Sequence, residues 1–168
     1  MNPRFLRAIA LIDEANAADP HTLTVRGVPR PKELAHAELV TEWVLRLRPD
    51  ASEALLLAPR AHHIRRWLLP RTAYPAGRHA YLEWKTEIRR RHAADLRAIL
   101  TTAAYDEPAI ARACAILQKH GLTRDPEVRT LEDALCLVFL ETQFEETAAK
   151  LDRAKMIDVL RKSIAKMS

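Results

Sequence analysis

Apolar positions recur at helical spacing in seven stretches of the chain, and turn residues separate them. Phe5, Ile9, Ile12 and Ala15 share one face of a stretch from about Pro3 to Ala18, with Asn2 as cap. After an irregular segment, Asp19 to Pro31, in which Thr22 to Val25 has extended character, a second helix is expected from near Pro31 to Arg48, ahead of Pro49. A third starts at the Asp50/Glu53 capping pair and reads on to Leu69, with Pro59 expected to kink or split it before His62 and His63. The longest helix spans Arg78 to Leu100, followed by Glu107 to His120 with Asp106 as cap and Gly121 as stop. Thr130 to about Ala149 contains the all-round apolar ALCLVFL, which predicts the centre of the bundle, and Asp152 to Met167 closes the series.

Four ionisable residues interrupt the apolar stripes. His36 is in register with Val40, Trp43 and Leu47, and His63 with Leu56 and Trp67. His92 is in register with Tyr81, Ile88, Leu96 and Ile99, and Asp133 with Leu137, Leu140 and Phe144. Helical spacing turns all four toward the interior. An unpartnered polar group there costs several kcal/mol, so either these groups satisfy one another or a metal satisfies them.

Composition narrows the class. Of 168 residues 48% are hydrophobic but only 5% aromatic, with 3 glycines and 10 prolines, which favours one all-α domain over residues 1–168. Cys114 and Cys136 sit in apolar runs and read as buried, reduced thiols. The first thirteen residues are broken by Arg4, Arg7 and Asp13, unlike a signal peptide, and no stretch is long enough to span a bilayer, so a cytoplasmic protein without membrane contact is expected. The formal charge of +5 favours an anionic partner. With so few glycines there is no phosphate loop, CxxC pair or GxSxG elbow, which excludes kinase, P-loop and zinc-ribbon classes.

Two groups of residues carry chemistry. The His62-His63-Ile64 stretch, after an Ala/Leu-rich helix, is similar to the second-helix motif of HD-type metal hydrolases. That resemblance implies His36 at the first ligand position, His62 and His63 at the paired one and Asp133 at the last, with His63 replacing the usual Asp. Imidazole and carboxylate donors suit Zn, Mn or Fe. Each has a structural alternative: His36 and His92 as core histidines, the latter beside Asp95, and Asp133 as part of a Thr130/Asp133 capping box. Adjacent histidines point about 100° apart on a helix, so only one of His62 and His63 is expected to face the core. The second group is basic and aromatic. Arg66 follows the histidines, and Arg78, Tyr81 and Lys85 share a helical face near Trp84, forming either an anion site or a solvated amphipathic surface. The Arg89-Arg90-Arg91 run reads as a solvated face.

Across nearly the whole chain, the ordered segments PKEL, HIRRW, YPAGR, YLEWKTE, RHA, DPEV, TLEDALCLVFLE and DVLRKS resemble the domain of unknown function 4202 family. The resemblance picks out Glu33, His63, Arg66, Trp67, Arg78, Tyr81, Trp84, His92, Glu132 and Asp133, but neither His36 nor His62, and brings no activity with it.

The expectation is an all-α, HD-domain-like bundle of about seven helices. His63, His92 and Asp133 or Glu132 are expected to hold a divalent metal (Zn, Mn or Fe), with His36 and His62 as lesser candidates. Arg66, Arg78, Tyr81, Trp84 and Lys85 are expected to bind an anionic small molecule or nucleotide. The functional reading is a metal-dependent phosphohydrolase, with an iron oxygenase on the same scaffold as a sister reading. The alternative is a non-catalytic module that binds RNA, a nucleotide or a protein through its basic face.

Overall fold

The computed structural model describes residues 2–144, 152–165 and 167. The fold is all-α, with one small hairpin. Helix α1 (Pro3–Ala17) leads into strands β1 (Thr22–Val25) and β2 (Val28–Pro31), then α2 (Lys32–Leu47), α3 (Glu53–Ala61), α4 (Arg78–Thr102), α5 (Glu107–Leu117), α6 (Pro126–Thr142) and α7 (Arg153–Ile164). The strands pair antiparallel with Val25 opposite Val28. Their two-residue turn, Arg26 and Gly27, has positive φ at both positions (51° and 81°), the geometry whose twist matches a tight hairpin.

Side-chain caps fix the helix starts. Asn2, Ser52, Asp106, Asp125 and Asp152 each accept from a backbone N–H in the first turn of the helix they precede. Two of these differ from expectation. Ser52 rather than Asp50 caps α3, and α6 begins at Pro126, four residues before the expected Thr130, with Asp125 as its cap and Pro126 in the first helical position, where its missing N–H costs nothing. Thr130 and Asp133 are therefore interior residues of α6 and form no capping box. Helix α6 ends at Thr142, with Gln143 as its C-cap, short of the expected Ala149; residues 145–149 lie outside the described residues.

The core is a single aliphatic cluster whose largest fully buried side chains include Ile12, Leu55, Leu57, Leu96, Leu100 and Ile116. Among the described residues α2 and α3, not α6, hold the central positions: α2 packs against α1, α6 and both strands, and against α3, which also meets α1, α5 and α6. The short apolar run of α3, with Ala58 and Ala61 fully buried, lets neighbours approach from several sides, whereas α6 lies chiefly along α2. Among the described residues no helix is long and apolar enough to cross a membrane. Cys114 and Cys136 are free and buried.

Helices α3 and α5 also end differently from expectation. Helix α3 was expected to continue to Leu69 but stops at Ala61, two residues past Pro59. His62, Ile64 and Arg66 then bond back to Pro59, Ala61 and His63, a run of tighter three-residue turns, and Arg65 reverses the path with φ 52°. Helix α5 was expected to stop at Gly121. It ends instead in a Schellman motif, in which Lys119 N–H reaches Ile116 O and His120 N–H reaches Ala115 O, both at 2.9 Å. Lys119, with φ 62°, thus holds the left-handed position that glycine usually fills.

Candidate metal centre and anion chamber

Glu33 and His36 occupy successive turns at the start of α2. The first of these is held from outside the helix: Asp19 Oδ2 accepts from the Glu33 N–H at 3.0 Å, while Asp19 Oδ1 accepts from the His21 N–H at 2.9 Å. Pro31 precedes the helix and has no capping side chain, so Asp19 does that work across the hairpin. His63 arrives from the turn after α3. Glu33, His36 and His63 each present one ligand atom within 4.8 Å of the other two.

Hydrogen bonds define the His63 tautomer. Arg66 Nη1 lies 2.9 Å from His63 Nε2, and a guanidinium can only donate, so Nε2 accepts. Nδ1 therefore carries the proton and donates to Glu33 Oε2 at 3.0 Å. The imidazoles crowd together: ring centroids are 4.6 Å apart for His36 and His63, 4.4 Å for His62 and His63, and 6.1 Å for His63 and His92.

Burial keeps these rings neutral. Desolvation, followed by the His63 charge, pushes His36 down to about 3. Desolvation and then Arg66 lower His92 to about 4, against a partial offset from Glu33 and a backbone hydrogen bond with His62. His62 and His63 are also held well below the ordinary histidine value, mainly by burial. Burial raises the Glu33 carboxyl, and His36 and Arg66 pull it partly back. Neutral imidazole is the form that ligates metal. Nδ1 of His62 and Nε2 of His92 are buried without a hydrogen-bond partner.

Beside this cluster opens a chamber of about 400 Å³. His63, His92 and Glu132 line it together with Arg66, Tyr81, Trp84 and Lys85, so the two residue groups separated in sequence meet in space. Trp84 is fixed by donating to the Leu69 carbonyl at 3.0 Å, and the Arg66 guanidinium lies over its ring at 5.0 Å. Arg89 and Lys119 add two further cations, while Glu132, ion-paired with Lys119, is the one carboxylate among the described lining residues.

Several expectations change. His62 and His63 both line the chamber, because they lie in tight turns beyond α3 and not on a helix face. Arg78 is exposed at the start of α4 and is not among the lining residues, and Asp133, buried in α6, lies outside both the lining and the three-residue group. Asp95, expected beside His92, pairs with Arg65 at 2.8 Å. Of the expected ligand set, His63, His92 and Asp133 or Glu132, the three-residue group holds only His63; it adds His36, a lesser candidate, and Glu33, which was not among the expected ligands.

Arg89, read with Arg90 and Arg91 as a solvated face, lines the chamber instead; it is one turn from Lys85 and one from His92, a spacing that places it on their face. Lys119 had no such signal, since its position depends on how α5 ends.

The family model described as Domain of unknown function (DUF4202) matches residues 6–168, and the chain belongs to that family. No curated protein and no solved structure matches it.

Proposed function

We propose that the protein is a metal-dependent hydrolase of phosphate-containing or similar anionic small molecules. The observation that carries this reading is the adjacency of Glu33, His36 and His63 to a cationic chamber. Two imidazoles and one carboxylate form a donor set suited to Zn, Mn or Fe; an ion among them would take the place of the proton that His63 Nδ1 donates to Glu33, leaving positions for water and substrate. The likeness of the His62-His63 turn to HD-type hydrolases belongs to the same proposal, with Glu33 supplying the acidic ligand. An ion there would lower the pKa of a bound water toward about 7 and polarise an ester oxygen.

The chain's own residues do the rest. Arg66, Lys85 and Lys119 offset the substrate's negative charge, Tyr81 and Trp84 wall it from solvent, and His92 presents a neutral nitrogen to accept a hydrogen bond from water or a hydroxyl. Elemental analysis of the purified protein, followed by assay of phosphomonoesters and phosphodiesters with Zn, Mn or Fe(II), tests the reading. About one metal per chain, lost in His36→Ala together with turnover, is expected. A metal-free protein that binds phosphate esters but hydrolyses none would leave the non-catalytic binding module as the function.

A further inference from the structure

A second chamber, of about 440 Å³, lies behind the histidines between α6 and α7. His62, His63, Lys119 and Glu132 line both chambers, so the two spaces adjoin on either side of the Lys119–Glu132 ion pair. Their characters differ. The first is cationic, whereas the second has Leu135, Cys136 and Phe139 from α6 and Val159 from α7, with Gln143, Ser163 and Lys162 among its polar groups, the last ion-paired with Asp158. Each volume falls in the range of small-molecule sites.

We propose that the two chambers hold one ligand, a ribonucleoside monophosphate, with its phosphate among Arg66 and Lys85, its ribose at Lys119 and Glu132, and its base against Phe139 and Gln143. This rests on the first chamber being an anion site. The far chamber offers what a base needs: an aromatic ring and aliphatic walls for its faces, and an amide that both donates and accepts for its edge. Ser163 Oγ donates to the Val159 carbonyl at 3.0 Å and keeps lone pairs for an amino group. At the junction a carboxylate accepts from ribose hydroxyls, and the neighbouring ammonium keeps it from repelling the phosphate.

Lys119 closes its helix in the left-handed region, as Ala104 does just past α4. A non-glycine residue in the left-handed region costs on the order of 1 kcal/mol, and glycine would end α5 without that strain. The chain instead places a lysine there, with its ammonium where the chambers adjoin.

Calorimetric titration of the full chain in chelator, with inorganic phosphate, hexyl phosphate and the four ribonucleoside 5′-monophosphates, tests the proposal without requiring turnover. At least one nucleotide is expected to bind about tenfold or more tighter than phosphate, and tighter than hexyl phosphate. Val159→Trp, which fills the second chamber, should bring that nucleotide to within about threefold of phosphate while leaving phosphate affinity unchanged. Gln143→Ala, a milder change, should weaken the nucleotide by about threefold and phosphate not at all. Thermal melts confirm that each variant is folded.

The proposal is overturned if no nucleotide exceeds phosphate, if hexyl phosphate gains as much, or if the gain survives both substitutions, which would place the base on Trp84 in the first chamber. Nucleotide binding without metal or turnover would sink only the hydrolase reading. Absence of phosphate binding would sink the anion site and this proposal with it.

Discussion

Along α2, Leu39, Val40 and Val44 are sealed among aliphatic neighbours, while one to two turns earlier Glu33 and His36 are buried to nearly the same degree among imidazoles and a guanidinium. Helix α4 repeats the contrast, with Leu96 and Leu100 in the apolar cluster and Trp84 and His92 in the chamber wall. The aliphatic region is held by loss of water contact, which requires volume and no particular orientation. The imidazole region gains little that way, since each ring must surrender hydration. The same helices therefore carry a part that stabilises the fold and a part that the fold must hold in place.

Acid should expose this difference most strongly. His36 and His92 have folded pKa values of about 3 and about 4, below the usual 6.5, so between those limits the unfolded chain binds protons that the folded one does not. Their neutral forms favour the fold in full above 6.5, and that contribution is lost as pH falls toward 4 and then 3. From pH 7 to 5 each ring should cost about 2 kcal/mol, roughly 4 for the pair, with Glu33, whose carboxyl is raised, offsetting a little. Urea melts at the two pH values check the slope, and His92→Leu should flatten it. Equal stability at both would mean that the imidazoles are hydrated.

Truncation in the other region should behave oppositely. Leu55→Ala is expected to cost about 3 kcal/mol in urea melts, through lost burial and a residual cavity. Phosphate affinity should remain at the wild-type value, and a parallel loss of both would show that the two regions are not separable.

A smaller effect distinguishes the chamber from its surroundings. Arg66→Ala should weaken phosphate binding about tenfold, whereas Arg78→Ala, outside the lining, should change it less than about twofold. Comparable losses in the two variants would move the anion site outward along α4.

The smallest expected change runs toward stability. Lys119→Gly removes left-handed strain and should raise the unfolding free energy by about 0.5–1 kcal/mol, less whatever the Glu132 ion pair contributes, while weakening phosphate binding. A variant that is more stable and binds as well as wild type would leave the lysine without a role in the chamber.

The aliphatic region was the more legible in sequence, because periodicity reports burial directly: Phe5, Ile12 and Leu96 lie where their spacing put them. The spacing also turned His36 and His92 inward, and the basic-aromatic residues Arg66, Tyr81, Trp84 and Lys85 do share one chamber with His63. What the pattern lacked was the direction taken by the chain after helices stop. His62 joins His63 because α3 ends at Ala61, Lys119 reaches Glu132 because α5 ends in a left-handed residue, and Glu33 reaches His63 across two segments 30 positions apart. Helical spacing is silent on all three.

The hairpin between α1 and α2 divides along its length into a part that must be left alone and a part open to alteration. At its base, Asp19 holds Glu33 in place, and the Lys32 N–H bonds to the His21 carbonyl at 2.9 Å. At its tip, Arg26 and Gly27 are exposed, and the connection onward is a surface pair between Arg26 and Glu42, worth little in water. A peptide tag or fluorophore attached at the tip would therefore ride on the strands without reaching the histidines, whereas a change at Asp19, some seven residues away in sequence and exposed by only 7%, would loosen the first turn of α2 and with it the carboxylate.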